Sequence, residues 1–316
     1  MTCLRNPLLL LLLLASLSWS CEKPTDISAV TGGGDLVIIS NFSPDQSLNV
    51  VVTVTRSPLD GALQQEYVTD ATVELFGEEG EFLEELTLSE QKNEEGAIPF
   101  YTTQDFVPQP QVAYTIVVDA PVHGTATAKS RIPEPIDLLS SRIKNFSRQV
   151  SETGTTNLQY EVNVSFQDPG KKQNYYHISL MQELFHYALS EEGDTLVGYS
   201  SYRPLVFDPA DNTQTQIAHI GGGMLLDDGA FNGKIISYDL PVSFDYDATR
   251  YLHGQLILEL RAVSEEYFYY FSSLSRQSGS KGQPFDDPVI IQDNVEGGRG
   301  VFAGFSSSVD SLAFSH

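Results

Sequence analysis

Six histidines, His123, His177, His186, His219, His253 and His316, are the residues best suited to bind a transition metal or pass a proton. None stands in an H-x-H or H-E-x-x-H pattern, the spacings that put two imidazoles on one face, so the local sequence signals no zinc site. Serine is plentiful, but no G-x-S-x-G occurs, and that removes the turn that presents a nucleophilic serine in α/β-hydrolases. Gly298-x-Gly300-x-x-Ala303 has the outline of a dinucleotide fingerprint, which works only between a strand and a helix of a βαβ unit. Its surroundings are patterned as antiparallel strands, so Gly297, Gly298 and Gly300 read as a tight turn or a close backbone approach. Arg299, the cation of that turn, is expected to anchor the turn to Glu296, with pairing to a carboxylate elsewhere as the alternative. The loop Asp227-Asp228-Gly229-Ala230-Phe231-Asn232-Gly233 is rich in oxygen ligands. It lacks the glutamate that closes a calcium loop, and Asp-Gly and Asn-Gly are ordinary hairpin pairs. No catalytic residue, metal or cofactor is expected. Paired carboxylates carry no weight in a chain with 42 acidic residues.

One thiol is chemically distinctive. Of the two cysteines, Cys3 lies in a stretch with a positive Arg5, an apolar run from Leu8 to Leu14 and a small-residue exit, the pattern of an export signal over residues 1–20. The apolar run is too short to span a bilayer. Cleavage before Cys21 leaves the exported protein with a single cysteine at its start, where it has no disulfide partner. Ser18-Trp19-Ser20-Cys21 resembles a bacterial lipobox, so Cys21 is the expected lipidation site. Acyl chains add roughly 0.8 kcal/mol per buried CH₂, so several chains anchor stably. Residues 21–34 end in Gly32-Gly33-Gly34 and read as a flexible tether.

The remainder is patterned for β-structure. Charged residues make up 19%, while Tyr, Phe, Val and Thr are abundant. The formal charge of -24 repels phosphate backbones and excludes nucleic acid as a natural partner; it equally disfavours anionic lipid head groups. Residues 35–133 hold about six turn-spaced strands, predicting an immunoglobulin- or transthyretin-like β-sandwich. The Glu-rich run 78–95 reads as solvated hairpin faces. Ile132-Pro133-Glu134-Pro135 keeps the chain extended and marks a boundary. Residues 134–316 predict a larger antiparallel β domain. In it, Leu158, Tyr160, Val162, Val164 and Phe166 alternate with polar residues. One helix is expected at about 264–277. Ser264 caps it, Glu265 and Glu266 sit in its first turn, and Tyr267, Tyr270, Phe271 and Leu274 make one apolar stripe. That stripe is expected to be core, with an interface as the alternative.

Several of these pieces together carry a family resemblance: Cys21 before a Gly-bounded first strand, Ile132-Pro133, Asp168-Pro169 before Tyr175-Tyr176, and the Glu266-Tyr267 helix. The most specific is Asn294-Val295-Glu296-Gly297-Gly298-Arg299-Gly300-Val301-Phe302. The chain resembles, over nearly its whole exported length, a Bacteroidota lipoprotein family catalogued as a domain of unknown function. Members are typically encoded beside TonB-dependent receptors. The resemblance implies a non-enzymatic outer-membrane lipoprotein, held by an N-terminal lipid and accessory to such a transporter in capturing a nutrient or metal complex. An envelope assembly or adhesion component, or a surface glycan or peptide hydrolase, remain alternatives.

Overall fold

The computed structural model describes residues 34–44, 46–56, 65–93, 96–152, 154–189, 195–207, 216–219, 221–279 and 289–314. Cys21, the export signal and nearly all of the tether lie outside the described residues. Residues Asp35–Thr55 and Ala62–His316 form one compact unit; of the other, Met1–Gly34 with Arg56–Gly61, only Gly34 and Arg56 are described.

The protein is mainly β, of the sandwich type, with one α-helix among the described residues. The first strands are β1 (Leu36–Phe42), β2 (Asn49–Val54), β3 (Thr72–Phe76), β4 (Phe82–Glu85), β5 (Thr87–Asn93), β6 (Gly96–Thr102), β7 (Ala113–Ala120) and β8 (Gly124–Arg131). After the proline segment come β9 (Leu138–Val150), β10 (Thr155–Gln167), β11 (Tyr175–Leu189), β12 (Thr195–Pro204), β13 (Gln216–Ala218), β14 (Met224–Asp227), β15 (Ile235–Asp247) and β16 (Tyr251–Val263). Helix α1 (Glu265–Gly279), β17 (Val295–Glu296) and β18 (Arg299–Leu312) complete the chain.

A ten-stranded sheet runs β13-β14-β11-β16-β18-β1-β2-β6-β5, with β12 also on β11. Two smaller sheets, β17-β8-β7-β3-β4 and β15-β10-β9, complete the set. The joint in the large sheet is β18, which pairs antiparallel with β16 and parallel with β1. This one parallel contact departs from the antiparallel pattern expected, and it brings the end of the chain back to its first strand. Alternation along β18 then assigns its side chains. Phe302 enters the core shared with β1, β2, β3, β7 and β8, and Leu312 the core shared with β10, β11, β15 and β16. Val301, Ala303 and Phe305 point the other way, against Tyr267 and Phe268 of α1. Phe302 also stacks on Phe42 with ring centroids 4.4 Å apart. Losing such a fully buried ring costs about 3–5 kcal/mol.

Helix α1 begins where its cap dictates. Ser264 Oγ accepts the Tyr267 N–H at 3.3 Å, and its carbonyl accepts the Phe268 N–H at 3.1 Å. Glu265 and Glu266 occupy the first turn and Arg276 the last, the arrangement the helix dipole favours.

Candidate functional site

A cleft of about 570 Å³ opens where the proline segment, the β10–β11 loop and the start of α1 meet. Pro133, Glu134 and Ile136 form one wall, residues 169–174 a second, and Glu265 and Glu266 a third, over Tyr175, Tyr176 and Val263. Three of the sequence pieces that carry the family resemblance thus line one cavity, through Pro133, through Pro169 with the Tyr175-Tyr176 pair, and through Glu266. They are spread over more than a hundred residues of sequence, and nothing local in them announces the meeting.

The β10–β11 loop is held by Asp168, which is fully buried. Its Oδ2 accepts the Gly170 N–H at 2.8 Å and the Gly233 N–H at 2.6 Å. Its Oδ1 accepts Asn174 Nδ2 at 3.2 Å and the Tyr176 hydroxyl. Four donors on two oxygens satisfy a carboxylate and leave it no lone pair facing the cleft. Asp228, also buried, accepts the Asn174 backbone N–H at 2.9 Å. Burial pushes its carboxyl above the usual range, and the neighbouring Asp168 adds to this against the Asn174 hydrogen bond. Burial and the hydrogen bond to Asp168 raise the Tyr176 phenol well above 10. These groups brace the loop. Asp227 serves the same connection differently, its Oδ1 capping a short 3-10 turn at Asp228–Ala230 by accepting the Gly229 N–H at 2.9 Å. The oxygen-rich loop of the sequence is therefore a turn whose carboxylates are bonded to N–H groups.

The rim carries charge of both signs. Lys171 and Lys172 are exposed and make no ion pair among the described residues. Arg131 at the end of β8 donates to the Gln111 carbonyl and to Glu78. Glu266 accepts the Ser130 hydroxyl at 3.0 Å, and Ser130 Oγ in turn accepts the Gly304 N–H at 3.2 Å, tying α1 to β8 and β18. The cleft thus offers charged and hydrogen-bonding walls over aromatic side chains, which is recognition chemistry.

Behind the helix lies a second polar cluster. His177 is buried, with Nε2 3.1 Å from the Gly222 carbonyl and Nδ1 3.1 Å from the Tyr267 hydroxyl. A carbonyl only accepts, so Nε2 carries the proton; burial keeps the ring neutral, and Nδ1 then accepts from Tyr267. His219 stacks on His177 at 4.2 Å. Burial, then the charge of Arg261, lowers His219 to about 4; burial, then the charge of His219, puts His177 well below its ordinary value. Arg261 makes a two-bond pair with Glu259 at 2.8 and 2.9 Å and lies 4.4 Å from the Phe305 ring centre. Burial alone would raise Glu259, but the Arg261 bonds and charge and the Ser307 hydroxyl hold it below the usual range. No grouping of three His, Cys, Asp or Glu side chains able to hold a metal exists among the described residues.

The residues singled out in the sequence fall as follows. Tyr267 is buried between His177 and Phe305, and Tyr270 is half-buried among the aromatics under α1. Gly297 and Gly298 form the β17–β18 turn, Arg299 and Gly300 open β18, and none of the four lines the cleft. Gly300 has φ of 108° and lies opposite Ile38; a Cβ there would sit 2.0 Å from the Ile38 carbonyl oxygen. Arg299 pairs with Asp293 at 3.3 Å and approaches Asp35 at 3.8 Å, in place of the Glu296 anchor expected. Asn294 bonds both backbone groups of Phe302, accepting its N–H at 3.1 Å and donating to its carbonyl at 2.9 Å. Cys21 lies outside the described residues.

Sequence reading missed the acceptor role of Asp168, whose donor Gly233 is 65 residues away. It also missed the Arg261–Glu259 pair, which two-residue spacing on an amphipathic strand could have suggested. No described helix is long and apolar enough to cross a membrane. A comparison with curated proteins finds no match. The family described as Domain of unknown function (DUF4249) matches residues 22–311, which covers the cleft, both polar clusters and the Gly-rich turn, and the chain belongs to that family.

Proposed function

We propose that this is an exported, lipid-anchored binding protein that works beside a TonB-dependent receptor in a Bacteroidota outer membrane. It assists capture of a nutrient or metal complex and catalyses no reaction. The observation that carries this reading is the cleft, where three motif-bearing pieces of the chain meet around about 570 Å³ of space. Its buried acid Asp168 is saturated by donors, while Lys171, Lys172 and Glu134 remain exposed for contact. A hydrolytic site built on Asp168 would need the reverse, an acid free to exchange protons with a substrate. The solitary Cys21 supports the anchor.

The test is isolation from native outer membranes in mild detergent after crosslinking. A TonB-dependent receptor is expected to co-purify, and Cys21→Ala is expected to abolish acyl labelling and release the protein. If no receptor is captured and deletion leaves every uptake phenotype intact, the transporter role is wrong.

A further inference from the structure

The small sheet β15-β10-β9 has two edges, and they are not equivalent. An edge strand offers a row of unpaired N–H and C=O groups to any extended chain, and proteins commonly blunt it. In β15, Pro241 stands mid-strand opposite Glu161 and supplies no N–H, so that edge is interrupted. In β9 no proline occurs between Leu138 and Val150. The strand pairs with β10 alone and carries two irregularities, one near Asn145, where φ is 53°, and one at Leu139.

The charge on β9 is also unusual for this chain. From Leu138 to Ser151 there are three cations, Arg142, Lys144 and Arg148, and no acid, in a protein with 42 acidic and 18 basic residues. Lys144 is held by Asp239 at 2.8 Å. Arg142 and Arg148 are exposed and make no salt bridge among the described residues, although Asp239 feels the charge of Arg142. Leu139 and Val150, 52% and 62% exposed, add apolar surface at either end. Two copies meeting edge to edge through β9 would bring like charges together, and pairing β9 with β15 of another copy would meet Pro241. Both forms of self-association are disfavoured, while an acidic strand is not.

We propose that β9 is a docking edge for an extended, acidic segment of a partner protein, which adds as a further strand and carries carboxylates on both of its faces, against Arg142, opposite Asn163, on one face and Arg148, opposite Leu158, on the other. Backbone bonds supply the affinity in such strand addition, and the charges select the partner. This surface is separate from the cleft and stands or falls independently of it.

The probe is a short fluorescein-labelled peptide repeating Glu-Glu-Val-Val, which presents Glu on both faces of an added strand, titrated against the full-length protein. Three controls accompany it: the same peptide N-methylated at alternate residues, a Lys-for-Glu version, and the Arg142→Glu/Arg148→Glu variant. The acidic peptide is expected to bind, to weaken as salt rises, and to slow amide exchange within residues 138–150. N-methylation and the double charge reversal should each weaken binding by about tenfold or more, with the unfolding midpoint of the variant unchanged. Absence of binding overturns the proposal. So does equal binding of the N-methylated or Lys-containing peptide, or exchange protection confined to another segment.

Discussion

Replacing Asp168 by Asn keeps the shape of the side chain but removes one of its acceptor oxygens. The buried carboxylate receives Gly170 and Gly233 N–H groups on Oδ2 and the Asn174 and Tyr176 donors on Oδ1. An amide turned with its oxygen toward the two glycines faces Asn174 Nδ2 with its own NH₂, donor against donor. The Tyr176 hydroxyl can reverse and accept, so one buried contact is lost outright and one is weakened. With unsatisfied buried groups costing about 1–3 kcal/mol, Asp168→Asn should lose about 2 kcal/mol, and Asp168→Ala, which strands all four donors, about 4 kcal/mol or more. Asp228→Asn provides the contrast. Its carboxyl is raised by burial, so near neutral pH the charged form is the strained one, and an amide oxygen can still accept from Asn174. That variant should lie within about 0.5 kcal/mol of the parent. The sign follows from linkage: a folded-state value above the unfolded one means the contribution is largest in acid and is lost as pH rises through the folded value. Urea denaturation followed by tyrosine fluorescence measures all three. If Asp168→Asn is as stable as the parent, or if Asp228→Asn is the more damaging change, the assignment of Asp168 as the loop's organising acceptor is wrong.

Three further predictions rest on separate features. Gly300→Ala should destabilise by well over the ~1 kcal/mol expected for Gly80→Ala, because both have positive φ but only Gly300 would press a Cβ onto a backbone oxygen; equal losses in chemical denaturation would refute the close approach. His219, held near 4 against an unfolded value near 6.5, should lose about 3 kcal/mol of stability as pH falls between those two values and none above them; a stability–pH curve with the same slope for His219→Gln would contradict this. Arg261→Met should cost about 3–5 kcal/mol by leaving Glu259 buried without its partner, and adding Glu259→Leu should recover much of the loss; additive losses in a double-mutant cycle would show the pair to be uncoupled.

The parts of this fold that were legible are those governed by near neighbours in sequence. The alternation from Leu158 to Phe166 placed Leu158, Tyr160, Val162, Val164 and Phe166 on one face, and all five are buried in β10. Ser264, Glu265 and Glu266 announced α1, since a cap and an acidic first turn are local devices. Val73 and Leu75 alternate with Thr72 and Glu74, and the β-prone residues reach back to Tyr67, yet regular pairing begins only at Thr72, with Tyr67 making a single bridge to Thr53. β-propensity reports a surface that fits a sheet and does not say where a partner is present. The parallel contact of β18 with β1 joins residues more than 250 positions apart, and no periodicity in either strand encodes it. The cleft was illegible for the same reason. Asp168-Pro169-Gly170 reads as a turn, and only the fold supplies Gly233, Asn174 and Tyr176 as its donors. The histidines lack a motif, and yet His177 and His219, 42 residues apart, stack under α1.

If the protein works beside a TonB-dependent receptor as proposed, the cleft is the surface expected to meet it. Photo-crosslinking from that surface in living cells tests it most directly. A photoreactive amino acid replaces Lys171 at the rim in one strain and Phe82, 56% exposed on β4, in another. The account predicts a single dominant adduct with a TonB-dependent receptor from position 171, none from position 82, and loss of the adduct when Cys21→Ala removes the anchor. Adducts of equal strength from both positions, or none from position 171 while the receptor is captured from elsewhere on the protein, would contradict it.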